Sequence, residues 1–335
     1  MSPPPLLSRA EKRYDTAIPR RREREVKVKP FIEKQVEDIK KTVGSGKAIS
    51  ALSGGVDSSV CSVLAHRALK DQLKCIFIDT GLMREGEPEK VKAVFGKLGI
   101  KVDVVDAQAE FFDALKGHTD PEEKRKAFRY TFYKVFGHEV LKSQARFLIQ
   151  GTIAADIIET QGGVKTQHNI LEQIGIDPDK NFGFKVVEPL KELFKHEVRE
   201  VGKELGLPES LYGRMPFPGP ALATRVIGEV TPERVALVRK ATRIVEEEVA
   251  ALKPFQAFAV LMNDMGTGVV GGKRKFGHVI VIRSVESRDA MTAEPTQVPW
   301  DVLLKMSKRI TKEIPAVTRV CYELTPKPPA TIEYI

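Results

Sequence analysis

Ser53-Gly54-Gly55-Val56-Asp57-Ser58-Ser59 gathers three hydroxyls, a carboxylate and two glycines into seven positions. That grouping suits an anion with several oxygens. Glycines leave no Cβ to block close approach and allow φ > 0. Backbone N–H groups where a turn opens a helix are unsatisfied, and they sit at the positive end of the helix dipole, so they attract phosphate. The stretch lacks the Gly-x-x-x-x-Gly-Lys-Ser/Thr of a P-loop and the Gly-x-Gly-x-x-Gly of a dinucleotide fold. It reads as a phosphate cradle of another kind. Two further polar groups follow apolar runs, Asp79 to Arg84 and Gly151 to Asp156.

The cradle needs a strand before it and a helix after it. Ala48, Ile49, Ala51 and Leu52 supply the apolar run, and Asp57-Ser58-Ser59 opens the helix. Upstream, Ile32, Val36, Ile39 and Val43 share one helical face, ended by Gly44 and Gly46. Downstream a strand–helix rhythm continues, with strands expected at 73–79, 102–105, 147–150 and 184–187. Helices are expected at 88–98, 107–116, 121–144 and 195–205, plus a short one to Glu159. Such alternation predicts an α/β fold, a doubly wound, mostly parallel five-stranded sheet covered on both faces. Ligands then bind beyond the carboxyl ends of the strands. Residues 162–182 break the rhythm and are expected to form a lid over the nucleotide.

Met215-Pro216-Phe217-Pro218-Gly219-Pro220-Ala221 is too proline-rich for a helix or a central strand. The expected division is a flexible basic tail at 1–29, a first domain at 30–222 and a smaller α+β domain at 223–335. In the second domain a helix is expected at 232–250 and strands at 257–262 and 278–284, with a glycine-rich polar turn at 266–277 between the strands. A helix at 302–314 and a strand at 318–324 follow.

The net charge is +9, but residues 1–30 hold nine Lys/Arg against four Asp/Glu. Little charge excess is left for the body, which argues against a nucleic-acid surface there. No apolar run approaches the roughly 18 residues of a membrane span. Cys61, Cys75 and Cys321 form no Cys-x-x-Cys, so a reducing, cytoplasmic setting is expected.

The Ser-Gly-Gly-x-Asp-Ser-Ser turn resembles the pyrophosphate-binding loop of the ATP pyrophosphatase superfamily, whose fold is of the adenine nucleotide alpha hydrolase type. The loop alone leaves the substrate open; NAD synthetases carry it too. More specific are Phe77-Ile78-Asp79-Thr80-Gly81, Gln150-Gly151-Thr152-Ile153, Glu188 to Lys195, the Met215–Pro220 connector, Arg225 to Val230, and Lys327-Pro328-Pro329-Ala330-Thr331-Ile332-Glu333. In order, over 31–335, these resemble the separate synthetase subunit of the GMP synthase family.

The resemblance implies ATP-dependent amination of XMP to GMP through an O2-adenylated intermediate. It also implies Mg²⁺, ammonia from a separate glutaminase subunit, and a homodimer through the second domain. Carried over by motif, the ATP contacts are Ser53, Gly54, Gly55, Val56, Asp57, Ser58, Ser59, Asp79, Gly81 and Thr152. Asp57 is the expected metal ligand, and Asp57, Lys165 and His168 the catalytic set. XMP falls to Arg84, Arg225, Lys327, Ile332 and Glu333. The sequence departs from the family at Gln167-His168-Asn169, where the family has His-His-Asn, and at 268–274, where a Gln and an Asp are lost.

Overall fold

The computed structural model describes residues 26–154, 156–157, 185–288 and 290–335. The expected lid, with Lys165 and His168, and most of the expected basic tail lie outside these residues.

The first half holds the five-stranded sheet: β1 (Ala48–Leu52), β2 (Leu73–Asp79), β3 (Val102–Asp106), β4 (Phe147–Ile149) and β5 (Lys185–Val187). Every pairing is parallel, in the order β3-β2-β1-β4-β5. Alternate residues of each strand feed opposite faces. Ala48, Leu52, Cys75 and Phe77 pack with α1 (Val28–Val43) and α2 (Val56–Leu69). Ile49, Ile76 and Ile78 pack on the other side with α4 (Gln108–Leu115) and α5 (Pro121–Ser143). Helix α3 (Glu87–Lys97) covers the first face through Val91 and Phe95. Helix α5 starts where Asp120 accepts from the amides of Glu122 and Glu123 at 2.8 and 3.0 Å, with Pro121 next, a strong start signal. Cys61 and Cys75 are buried; burial pushes the Cys75 thiol up to about 12. Both behave as core residues.

Helices α6 (Lys195–Glu204) and α7 (Glu209–Tyr212) lead to the connector, and a 3-10 turn (Ala221–Arg225) begins the second half. There α8 (Pro232–Glu248) and α9 (Trp300–Glu313) lie on a sheet of β6 (Gln256–Val270), β7 (Lys273–Glu286), β8 (Glu294–Pro295) and β9 (Val317–Tyr322). Strand β7 pairs antiparallel with β6 and β8 and parallel with β9. The apolar core runs without a break from Ile49 and Ile76 through Leu222 to Ile280 and Ile310.

One expectation fails. Residues 266–277 are not a glycine-rich turn. They are the outer half of a long hairpin paired from Met265–His278 to Val270–Lys273, with only Gly271 and Gly272 at its tip. The other glycines serve close approach. A Cβ on Gly277 would lie 2.4 Å from Thr318 Cγ2 and 2.7 Å from the Ala316 carbonyl, and one on Gly266 2.6 Å from Arg319 Cδ. Thr318 and Arg319 of β9 lie across that face of the hairpin, where only glycine fits.

Lys124 of α5 joins the halves. Its side chain is buried, and its Nζ donates to the Val226 carbonyl at 2.8 Å. Burial, with the Arg234 charge second, pushes its ammonium down to about 8 from 10.5. Between those pH values the unfolded chain keeps the proton and the folded chain releases it, so raising the pH favours the fold. In chemical denaturation from pH 8 to 10.5, the wild type should gain stability relative to Lys124→Met, and below pH 8 the difference should be flat. Gly277→Ala should cost about 1–3 kcal/mol in the same assay, whereas Gly96→Ala, inside α3 with nothing within 4 Å, should stabilise by about 0.5–1 kcal/mol.

Candidate active site

The turn after β1 lies where the strand order reverses, between β1 and β4, the usual ligand position in open α/β sheets. Gly54 takes φ +74°, and a Cβ there would stand 2.3 Å from Glu87 Oε1. Gly55 forms the N-cap of α2 without a side-chain cap. The turn is braced from within. Ser53 Oγ and Ser58 Oγ are 2.9 Å apart, and Ser58 Oγ accepts from the Ser53 amide at 3.2 Å. Ser59 Oγ donates to the Gly55 carbonyl at 2.7 Å, which also accepts the Ser59 amide at 3.2 Å. The helical ladder thus begins at Ser59, and the amides of Val56, Asp57 and Ser58 form the free first turn.

Asp57 lies in that first turn. Its Oδ2 pairs with Lys195 Nζ at 2.5 Å, while its Oδ1 is buried and has no hydrogen-bond partner among the described residues. Lys195 opens α6, so two helix N-termini bring the pair together. A carboxylate oxygen with free lone pairs beside a phosphate cradle fits a hard cation. No cluster of three or more His, Cys, Asp or Glu among the described residues could hold a metal alone. A Mg²⁺ here would complete its shell with phosphate and water oxygens. Gly151, at the end of β4, packs on the turn, where a Cβ would sit 3.0 Å from the Asp57 carbonyl and the Ser58 amide. Thr152 Oγ1 donates to Glu188 Oε1 at 2.6 Å.

Asp79 ends β2. Its Oδ1 accepts from the Gly81 amide at 2.9 Å and its Oδ2 from Gln108 at 3.0 Å. Gly81, at φ +70°, would drive a Cβ to 2.7 Å from Phe112.

The second-half residues gather around the connector. Arg225 is fully buried, and its Nη2 and Nε donate to Glu333 at 2.8 and 3.1 Å. Gln256 donates to the same carboxylate at 2.6 Å. Arg84 donates to Glu246 at 2.9 Å and to the Met215 carbonyl at 3.2 Å. Burial holds Arg84 below the ordinary guanidinium range, with Glu246 pulling the other way. Arg84 lies over the ring of Phe217 at 4.3 Å and Arg225 at 4.9 Å, and Arg225 also lies over the ring of Phe258 at 4.0 Å. Lys327 instead donates to the Ala290 carbonyl at 2.7 Å, and Ile332 packs with Val285 and Ala293. Arg283, also buried, fixes that segment by donating to the Thr325 and Thr331 carbonyls at 2.6 and 2.9 Å.

The sequence gives no sign of Arg214, yet it joins the two groups. Its Nη1 donates to the Gly54 carbonyl at 2.7 Å, and the guanidinium takes Glu87 bidentately at 2.6 and 2.7 Å. Two residues later the Pro216 carbonyl accepts from Arg84 at 3.4 Å and Gln256 at 3.3 Å. Glu87, Gln256 and Arg283 are equally silent in the sequence, and the partner of Lys195, which closes the motif at 188–195, is hidden too, because their partners lie far along the chain.

Residues 26–219 match the NAD synthase family model and residues 241–334 the GMP synthase C terminal domain model. A glutamine-hydrolyzing GMP synthase subunit of Archaeoglobus fulgidus is 55% identical over 308 residues, covering 92% of this chain and 99% of that protein. The protein of the same name from Thermococcus kodakarensis is 55% identical, over 91% and 98%. That from Methanopyrus kandleri is 50% identical, over 91% and 98%. Among solved structures, an NH3-dependent NAD synthetase from Campylobacter jejuni aligns at a TM-score of 0.44 and 19% identity, over 56% of this chain and 77% of that one.

Glu87 keeps only 3% of its side chain exposed. Arg214→Met leaves that carboxylate buried and unpaired, which should cost about 3 kcal/mol or more in urea unfolding. Adding Glu87→Leu should recover much of the stability but not nucleotide affinity measured by calorimetry, because the Gly54 carbonyl stays unpaired.

Proposed function

This chain belongs to the family of glutamine-hydrolyzing GMP synthase subunits, and we propose that its ATP-dependent synthesis of GMP runs from XMP through an O2-adenylated intermediate, with ammonia delivered by a separate glutaminase. The chain is then the synthetase subunit of a ligase, with ATP as substrate. The observation that carries the finer reading is the Arg214–Pro216 run. It reaches the phosphate turn at one end and the Arg84, Gln256 and Glu333 group at the other. One cleft can therefore hold a nucleoside triphosphate and a purine monophosphate together.

In the first step the C2 oxygen of XMP attacks the α-phosphorus. The bond to the β-phosphate breaks and pyrophosphate leaves. In the second step ammonia attacks C2, loses a proton, and the C2–oxygen bond breaks to release AMP. An enol-like oxygen leaves poorly, whereas AMP leaves well. The protein's part is positioning and charge neutralisation. The amides of the turn Ser53 to Ser59 and its hydroxyls hold the β- and γ-phosphates. Mg²⁺ held by Asp57 would offset phosphate charge, and Lys195 beside it adds a second cation. Asp79 and Gly81 border ribose or adenine, with Thr152 at the edge of the ATP side. Lys165 offsets charge on the leaving pyrophosphate, and His168 acts from the same segment. Arg84, Arg225, Lys327, Ile332 and Glu333 receive XMP. Arg and Lys suit its phosphate, and a carboxylate suits a purine N–H or a ribose hydroxyl. Arg225 has one nitrogen, Nη1, that is buried and without a partner among the described residues.

A homodimer through the second half belongs to the same reading. Met265, Val269 and Phe276 stand exposed on one face of the β6–β7 hairpin, a face that a second copy would cover. The partner glutaminase is supported by the relatives' names, which call each of them a subunit of a glutamine-hydrolyzing enzyme. No helix among the described residues is long and apolar enough to cross a membrane.

The test is an assay with XMP, MgATP and ammonium. AMP and GMP should appear in equal amounts, and Asp57→Asn should lower kcat/KM by about a hundredfold or more. Free glutamine should support no turnover until a glutaminase is added. Pyrophosphate release that needs a substrate other than XMP would sink the reading.

A further inference from the structure

Gly81 to Glu85 are five consecutive residues, and each is bonded to chain beyond the connector. Arg239 Nη2 donates to the Gly81 carbonyl. The Leu222 amide donates to the Leu82 carbonyl at 3.0 Å, and Arg239 Nε to the Met83 carbonyl at 2.8 Å. Arg84 Nε donates to Glu246 at 2.9 Å, and Arg243 Nε pairs with Glu85 at 2.6 Å. Arg239, Arg243 and Glu246 follow at spacings of four and three, so they form one face of α8. Loops between a strand and a helix are ordinarily the mobile parts of an α/β fold. Here the loop is laid along a helix of the other half.

We propose that α8 positions both substrates through this loop, with Arg239 as the positioning residue. The proposal rests on the assignment of Asp79 and Gly81 to ATP and of Arg84 to XMP. Arg239 acts through the loop backbone, since its bonds are to loop carbonyls. Its planar fork spans two carbonyls two residues apart, and a lysine ammonium cannot match that geometry. The Gly81 end of the grip fixes the turn that Asp79 closes through the Gly81 amide. The Met83 end fixes the backbone that aims Arg84. With the grip in place the five residues are ordered before either substrate arrives, so neither binding step bears their ordering cost. Without the grip the first substrate to bind would order the loop for the second, and by linkage that coupling would be equal in both directions.

The experiment uses the full chain with XMP and α,β-methylene ATP, which cannot be split between its α and β phosphates. Calorimetry measures each ligand alone and in the presence of the other, for the wild type, Arg239→Met and Arg239→Lys. Steady-state assays with ATP, XMP and ammonium give KM and kcat, and thermal unfolding reports the folded fraction. The wild type should bind each ligand almost equally well with and without the other. Arg239→Met leaves two carbonyls unpaired and should weaken both ligands about tenfold, raise both KM values together and change kcat less than threefold. It should also introduce a mutual enhancement, equal for the two ligands, because the first to bind then orders the loop for the second. Arg239→Lys should fall between, and it carries the comparison if Arg239→Met does not fold. Affinities equal to wild type in a folded variant overturn the inference and leave the reading of function intact. So does a loss confined to one ligand, or a loss that merely tracks the unfolded fraction. A wild-type chain that binds neither ligand overturns the reading of function and this inference with it.

Discussion

The ion pair between Arg214 and Glu87 is the constraint on which the site depends. Glu87 is almost wholly buried at the start of α3, and Arg214 stands just before the connector. Taking two charges out of water is costly, and the return on stability is small when the pair is intact. What the pair supplies is geometry. The fork of Arg214 has one settled orientation once Glu87 takes both ends, and the remaining hydrogen bond then locates the Gly54 carbonyl. Gly54 must be glycine because the Glu87 carboxylate fills the space a Cβ would need. The phosphate turn, the helix after β2 and the connector are thus set by three polar contacts of one side chain.

From the connector the same order passes into the second half. Phe217 has two guanidiniums over its ring, and one of them, Arg225, is fully buried and forked onto Glu333. The frame is stiffened at its far edge. Arg309 of α9 bonds Glu247 and Glu248 of α8 as well as Glu313, and the three carboxylates hold its guanidinium above its ordinary range. Exposed pairs contribute little to stability one by one. As a network they fix α8 against α9, so the face carrying Arg239 and Glu246 meets the 81–85 loop as part of a rigid body.

Much of this architecture is legible in the sequence because it is local. The short apolar runs of β1 and β2 and the phosphate turn depend on neighbours within a few residues. So do the caps at Asp120-Pro121 and Thr231-Pro232. The polar residues that build the site do not. Arg214, Arg239 and Gln256 look like ordinary surface residues until the fold brings their partners to them. The glycines of 266–277 mislead for a related reason. Glycine signals either a turn or a close approach, and only the position of Thr318, about fifty residues on, decides between them. Motif resemblance assigns Arg225 and Glu333 to the expected XMP contacts, but says nothing of their direct pairing. Nothing in the spacing says that Arg225 reaches Glu333 while Glu229, four residues away, accepts from the Gly117 amide.

The separations of the site's contacts also set when it can form. Arg214 reaches back 160 residues to Gly54, Arg84 forward 162 to Glu246, and Arg225 forward 108 to Glu333. Closing loops of that length costs chain entropy before any contact returns it, so such pairings come late in folding. Each sheet, by contrast, can assemble from its own half. A refolding chain therefore passes through a stage with two formed sheets and no nucleotide site. In that stage Arg84 has not yet met Glu246 across the two halves. Native secondary structure should return well before the capacity to bind ATP, and the interval between them is the time the two halves take to close on the connector.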